Sequence, residues 1–305
     1  RLIADENAEK AGLWDVSCYN HVDVMGGKGE LIIGWASAVR KDHVLVGTSS
    51  GVASRVLPYD YLVICTGTSY TSDIKTEGTS IAARKQSFAL ERHRIKDAPA
   101  ITVVGGGVVG CELAFDIKAF FPDKAVEIIT RGPQCLPRVP GASTLVKACA
   151  EEDGIAVNYS KEVTHADESG RPVTKDGVTV GTPNARVFWA TGNKPNNQLL
   201  TDPRSDSAFA SVMDDQGFIR TKNTQQLNHP NLGHIYAGGD ICAKDRFTAG
   251  ERTMQDAGAH AFAILKNIQV AAGVRPGALQ QPQINKNPGL GTMVISLGNK
   301  RGALF

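Results

Sequence analysis

What this sequence lacks narrows it first. No apolar run approaches the ~18 residues of a membrane-crossing helix. None of the six cysteines is spaced as Cys-x-x-Cys or Cys-x-x-x-x-Cys. Cys18, Cys65, Cys111, Cys135, Cys149 and Cys242 are scattered, mostly in apolar runs, which suits reduced core thiols in an intracellular compartment rather than a disulfide framework. The seven histidines show no ligand spacing with the cysteines or with one another, so no metal site is expected. Formal net charge is only +2, with no Lys/Arg block, which removes the electrostatic footprint of a nucleic-acid binder. No signal-peptide pattern opens the chain, and its first residue is Arg1 rather than Met, so it reads as a sequence whose beginning is missing. What remains is a globular α/β composition: 42% hydrophobic, with 32 Gly and 14 Pro, in 305 residues, enough for two domains.

The stretch that organises the rest is Ile101 to Phe115, ITVVGGGVVGCELAF. Four β-favouring residues, Ile101 to Val104, run into Gly105-Gly106-Gly107, then Val108, Val109 and Gly110, and a helix-like apolar segment follows from Cys111 to Phe121. This is Gly-x-Gly-x-x-Gly in a strand–turn–helix context, where a dinucleotide pyrophosphate sits on a helix N-terminus. Gly105 allows the tight turn, Gly107 lets backbone N–H groups approach phosphate, and Gly110 lets the helix pack close to the strand. Pro122 and Asp123 stop the helix, and Ala125 to Thr130 is the second strand of the βαβ unit. That strand ends in Thr130-Arg131 with no carboxylate for a ribose hydroxyl. An arginine there points toward NADPH, with NADH left open.

Upstream, Arg1 to Asn20 leans helical. Glu30 to Ala38, His43 to Gly47 and Ser54 to Leu57 read as a β-meander. Leu62 to Cys65 reads as a buried strand stopping at Thr66-Gly67, which is either a plain turn or a close backbone approach to a flat or phosphorylated group. A polar helix from Ile81 to Arg94 presents Arg84, Lys85, Arg92 and Arg94 as a solvated face. Downstream, Gly141 to Ala150 reads as a helix capped at Ser143, Gly154 to Tyr159 as a third strand, and Lys161 to Val180 as a hairpin excursion. Ala185 to Ala190 is a strand ending in Thr191-Gly192, an echo of Thr66-Gly67. Two alike junctions bracketing the nucleotide unit suggest one domain inserted into another. A short strand, Phe218 to Arg220, precedes Tyr236-Ala237-Gly238-Gly239-Asp240, a strand ending in Gly-Asp, and the helix Ala249 to Ile268. The carboxylate there either caps a turn or accepts hydrogen bonds from sugar or polyol hydroxyls. Gly291 to Leu297 is the last strand-like stretch.

The order of these signals resembles the flavoproteins of the pyridine nucleotide–disulfide oxidoreductase superfamily, over roughly Gly29 to Leu297. Within it the chain is most similar to the apoptosis-inducing-factor-like branch, which includes ferroptosis-suppressor NAD(P)H:quinone reductases. The resemblance implies two Rossmann-like dinucleotide-binding domains, with the NAD(P)H domain inserted into a split FAD domain. The FAD-type segments would be 1–97 and 193–268, the NAD(P)H domain 98–192, and 269–305 the start of a C-terminal interface region. It also implies cofactors FAD and NADPH or NADH, hydride passing from nicotinamide to flavin and then to a quinone-like acceptor. On the NAD(P)H side it implicates Gly105, Gly106, Gly107, Gly110, Glu112, Arg131, Thr191 and Gly192, with Glu112 near the nicotinamide. On the FAD side it implicates Thr66, Gly67, Gly239, Asp240, Met254 and Gln255, with Asp240 on the ribityl chain and the helix start near Met254-Gln255 facing the flavin ring. No side chain emerges as a catalytic acid or base.

The chain also departs from that pattern. Family members open with a first Gly-x-Gly-x-x-Gly unit for the ADP half of FAD, and nothing before Ser54 matches it. The interface region is cut short after Phe305, so the acceptor site has no visible residues. Two readings therefore stand: a fragment of a working oxidoreductase, or a flavin-less structural or nucleotide-sensing subunit of a larger assembly. Retention of Asp240 favours the first, and a ferredoxin- or disulfide-type reductase is a third. A small-molecule acceptor is the expected partner. The resemblance leaves open peripheral membrane contact, membership of a complex, and a mitochondrial or a cytosolic, membrane-associated setting.

Overall fold

Sixteen of the glycines with positive φ, together with the strand ends they follow, already mark where the chain turns in the computed structural model. The structure describes residues 10, 12, 14, 26–47, 55–70, 80–137, 141–243, 254–282, 294–298 and 301–304, without the side chains of 254, 255 and 304. In chain order the strands and helices are β1 (Trp35–Val39), β2 (His43–Gly47), β3 (Arg55–Pro58), β4 (Leu62–Ile64), β5 (Thr68–Tyr70), α1 (Ile81–Asp97), β6 (Ala100–Val104), α2 (Val108–Phe120) and β7 (Ala125–Ile129). There follow α3 (Ala142–Asp153), β8 (Ala156–Asn158), β9 (Val163–Ala166), β10 (Pro172–Thr174), β11 (Arg186–Trp189), β12 (Asn193–Pro195), α4 (Gln198–Thr201), α5 (Ala208–Ser211), β13 (Ile235–Ala237), α6 (Met254–Ala271), β14 (Val294–Ser296) and β15 (Gly302–Leu304). They group into two compact units: residues 1–29, 70–192 and 288–305 in one, 30–69 and 193–287 in the other.

The first unit is built on a four-stranded sheet in the order β11-β6-β7-β8. Its strands are parallel, with Val104 level with both Ile129 and Trp189. β6 is buried at every position, and apart from Thr102 its residues are apolar, as a strand covered on both faces requires. Against it α2 buries Cys111, Leu113, Ala114, Phe115 and Ile117. Each such large side chain contributes roughly 1.5–3 kcal/mol on burial. Between β6 and β8 the buried Glu127 carboxylate of β7 accepts from the Thr102 hydroxyl at 2.7 Å, the Asn158 amide at 2.9 Å, and both the N–H and the hydroxyl of Thr182. That hub ties the end of the β9–β10 excursion to the sheet.

The sequence division at 97/98 does not match this unit. α1 packs within it because Glu91, 2% exposed, is not on a solvated face. Glu91 receives a two-pronged pair from Arg186 of β11, at 2.8 and 3.0 Å, and a third bond from Arg94 at 3.2 Å. Burial makes this pairing geometry obligatory, since a lone carboxylate there would be costly. The C-terminal segment also returns to this unit. Ile295 and Leu297 join its core, and Arg301 pairs with Glu152 at 2.8 Å and with Asp153 of α3. Smaller corrections follow. α3 begins after Gly141, whose φ of 78° makes it the N-cap, so Ser143 lies inside the helix. β1 starts only at Trp35, and Phe218 to Arg220 forms bridges through Ile219 rather than a strand. Of Arg1 to Asn20 only residues 10, 12 and 14 are described, and the start of the helix expected from Ala249 lies outside the described residues.

The second unit is assembled from shorter pieces. β1, β2 and β3 form the antiparallel meander, with one register irregularity between Ala36 and Ala38. β4 pairs in parallel with β13, Val63 opposite Tyr236, although some 170 residues separate them in sequence. Their apolar core gathers Val39, Ile64, Leu199, Leu200, Phe209, Val212, Ile219, Leu227 and Ile235. α6 buries polar side chains beside apolar ones: Asp256, His260 and Asn267 face inward with Ala263 and Ile264, while Phe262 and Leu265 are 70% and 56% exposed. Asn267 explains its own burial, donating to the carbonyls of Thr224 and Gln280 and accepting the Gln280 N–H.

Candidate functional site

In the first unit, the residues expected to hold a dinucleotide come together at the carboxyl ends of β6 and β11. Gly105 has a φ of 124°, and a Cβ there would fall onto the Ala190 carbonyl. A non-glycine residue would therefore be both strained and obstructed. Ala190 is in turn held by its N–H to the Val104 carbonyl at 2.7 Å, so the second Thr-Gly junction lies beside the glycine turn. Thr191 and Gly192 are exposed there, and Gly192 has a φ of 115° with open space around it.

α2 starts at Val108, earlier than the sequence pattern indicates, and Gly107 is its N-cap without a side-chain cap. The opening N–H groups of a helix have no intrahelical acceptors, and their partial positive charge favours an anion. No acidic residue occupies that first turn, and a Cβ on Gly107 would meet nothing within 4 Å. Among the described residues a phosphate-bearing group therefore fits: no side chain caps the helix and nothing crowds the approach at Gly107. Gly110 is sharper than expected, since a Cβ there would overlap the Gly105 carbonyl oxygen rather than merely crowd the strand. Gly106 is also constrained, with Thr130 Oγ1 2.7 Å from its Cβ position.

Two expected residues sit differently from one another. Arg131 is exposed directly after β7, at the end of the second strand. Glu112 accepts the Ser296 backbone N–H at 3.0 Å, tying α2 to β14. Burial raises its carboxyl above the usual range, the Ser296 N–H opposes the rise, and the Asp116 charge adds to it.

In the second unit, Thr66, Gly67, Gly239 and Asp240 converge at the ends of β4 and β13. Gly67 turns with a φ of 67°, and its carbonyl accepts the Asn196 N–H at 3.0 Å, while the Asn196 amide donates to the Thr66 carbonyl at 2.8 Å. Asp240 lies in a short 3-10 turn, Gly239–Ile241, whose first residue has a φ of 73°. The buried Thr68 hydroxyl donates to Asp240 Oδ2 at 3.3 Å and accepts from the Asn193 amide at 2.9 Å. The Gly239 N–H reaches His260 Nδ1 at 3.2 Å. Asp240 is thus oriented by a chain of polar groups, at half-exposure, as an acceptor for a hydroxyl-bearing ligand. Thr68, Asn193, Asn196 and His260 were missed from sequence. The available signal was the polar residues that follow each Thr-Gly pair, Thr68-Ser69 and Asn193 to Asn196.

Met254 and Gln255 open α6, but their side chains lie outside the described residues. Among the described residues, no group of three or more His, Cys, Asp or Glu side chains could hold a metal ion, and no helix is long and apolar enough to cross a membrane. Cys65 departs from the core-thiol expectation, being exposed at the Thr66 junction, whereas Cys111, Cys135, Cys149 and Cys242 are buried. Cys18 lies outside the described residues.

Comparison with known proteins agrees with this arrangement. Residues 4–273 match the family model described as pyridine nucleotide-disulphide oxidoreductase. The chain is 26% identical over 252 residues to a FAD-dependent oxidoreductase of Flammulina velutipes, covering 80% of this chain and 73% of that protein. It is also 26% identical over 291 residues to ferroptosis suppressor protein 1 of Mus musculus, covering 87% and 72%. Among solved structures, a NAD-dependent persulfide reductase from A. fulgidus superposes with a TM-score of 0.63 at 23% identity, over 87% of this chain but only 47% of that one. The chain thus spans about three quarters of those two relatives and under half of that structure. The parallel sheet, the glycine turn and the family match lead to one conclusion: the chain belongs to the pyridine nucleotide-disulphide oxidoreductase family, whose members are FAD-dependent NAD(P)H oxidoreductases with Rossmann-like domains.

Proposed function

We propose that this chain belongs to an FAD-dependent oxidoreductase that moves hydride from NAD(P)H to flavin and on to a quinone-like acceptor. The observation that carries the reading is the uncapped N-terminus of α2 behind Gly105, Gly107 and Gly110, with Ala190-Thr191-Gly192 beside it. When bound, the nicotinamide and flavin supply the redox chemistry, and the protein supplies orientation and electrostatics. In this reading the N–H groups of α2 bind the pyrophosphate, and exposed Arg131 receives a ribose phosphate, which favours NADPH over NADH. Asp240, aligned by Thr68 and Asn193, accepts hydroxyl hydrogen bonds from the flavin's sugar-like chain. Glu112, bonded to Ser296, acts first as a fastener for α2. Its place near the nicotinamide is a proposal carried by resemblance.

The quinone rests on the similarity to ferroptosis suppressor protein 1, and a persulfide or ferredoxin acceptor is the competing outcome. The test uses the full-length protein. Its visible spectrum should show flavin, and NADPH oxidation with a short-chain quinone should outpace NADH oxidation. A colourless protein that cannot take up FAD would sink the oxidoreductase reading and leave the nucleotide-sensing subunit. Equal rates, or an NADH preference, would remove the role given to Arg131.

A further inference from the structure

Behind the glycine turn lie two thiols that hydride transfer does not use. Cys111, fully buried on α2, directs its Sγ at the Gly106 carbonyl 3.7 Å away. Cys135, 1% exposed in the loop after β7, has its Sγ 3.0 Å from where a Cβ on Gly106 would stand. The two sulfurs therefore flank one glycine of the turn. The interaction between the two thiols lowers Cys135 below its ordinary range against the effect of burial, and it raises Cys111, which burial raises further. One thiol thus ionises more readily than its neighbour, the asymmetry that favours thiol attack. The loop is already strained at Leu136, whose φ is 49°, and its N–H is fastened to the Gly106 carbonyl at 2.8 Å.

We propose that Cys111 and Cys135 form a redox-modifiable pair, and that their closure to a disulfide distorts the Gly105–Gly110 turn and weakens dinucleotide binding. The oxidant class is a hydroperoxide. The Cys135 thiolate attacks one peroxide oxygen, breaking the O–O bond, to give a sulfenic acid and one water. The Cys111 sulfur then displaces the sulfenic oxygen as a second water and forms the S–S bond. Two thiols lose two electrons and two protons, and hydrogen peroxide becomes two waters. A bond of about 2.05 Å between these sulfurs draws the Cys135 loop and α2 together across Gly106. Thr130 Oγ1 lies 2.7 Å from where a Cβ on Gly106 would stand, so the turn is closely lined on that side.

The effect on affinity rests on the dinucleotide reading above, whereas the bond itself does not. The full-length protein is treated with hydrogen peroxide and mapped by mass spectrometry without reduction, and NADPH is titrated by fluorescence before and after. A Cys111–Cys135 linked peptide and about tenfold weaker NADPH binding are expected, both reversed by dithiothreitol. Cys135→Ser and Cys111→Ala should show neither response, and the wild-type result stands even where a variant fails to fold. A map without that link overturns the proposal, as does a link that leaves NADPH affinity unchanged. A reduced protein that binds no NADPH overturns the dinucleotide reading, and the peptide map then decides the pair by itself.

Discussion

In the first unit, β6 has a neighbouring strand on each side and is buried along its whole length. Among the described residues of the second unit, only β2 has strands on both sides. Their main helices differ in the same sense. α2 turns Leu113, Phe115 and Ile117 inward, while α6 turns Asp256, His260 and Asn267 inward and leaves Phe262 and Leu265 exposed. One unit is held mainly by apolar packing around a contiguous βαβ stretch. The other gathers its apolar core from shorter pieces and adds polar fastenings between segments far apart in the chain. The lesson concerns reach: overpacking at the glycine turn, or the loss of one hydrogen-bond partner, should loosen the unit that holds it and leave the other unchanged.

The largest effect is expected from Gly110→Val. Its side chain would enter the space of the Gly105 carbonyl, so NADPH binding should vanish and stability should fall by about 3 kcal/mol in denaturant unfolding. Binding that survives intact would remove the close-approach account of the turn. Next comes a matched pair read by peptide-resolved hydrogen exchange. Glu127→Ala leaves Thr102, Asn158 and Thr182 without their acceptor and should cost about 2–3 kcal/mol, with faster exchange confined to the first unit. Asn267→Ala should cost about 1–2 kcal/mol, with faster exchange near Thr224 and Gln280. If either substitution loosens both units equally, the comparison breaks.

The smallest effect tests Glu112. Burial raises its carboxyl, so the folded protein holds that proton more tightly than the unfolded chain. Its contribution to stability is therefore greatest below the ordinary glutamate range and is lost as pH rises through the raised value. Glu112→Gln keeps an acceptor for Ser296 and should flatten that part of the stability–pH curve. An unchanged curve would show that Glu112 titrates as an exposed carboxyl does.

Much of the first unit was legible because its signals are local. Ile101 to Val104, the glycines and the Ala125 to Thr130 strand lie within one short stretch, where periodicity and turn chemistry agree. The role of α1 was not, because the feature that decides it, Glu91 against Arg186, is a pairing across 95 positions that looks on paper like one more surface charge. Ser143 misled for a related reason: a good capping side chain yielded to Gly141, whose left-handed φ the turn before α3 uses. At the second unit's site, Asp240 was visible as a Gly-Asp strand end. Thr68 and Asn193 were not, since nothing in the sequence says that residues 125 positions apart will share a hydrogen bond.

The return of Ile295 and Leu297 to the first unit's core also sets a timetable. A ribosome delivers the sheet strands of that unit by residue 189, yet it must add the whole second run of the other unit before those two side chains emerge. At ~5–20 residues per second the interval is on the order of ten seconds. Throughout it, the side of α2 that will receive them is left as a nascent, uncovered patch. Newborn chains should therefore be most prone to capture by a holding chaperone in that window, and a stalled ribosome just short of residue 294 should release a protein with its sheet complete but its seal unset.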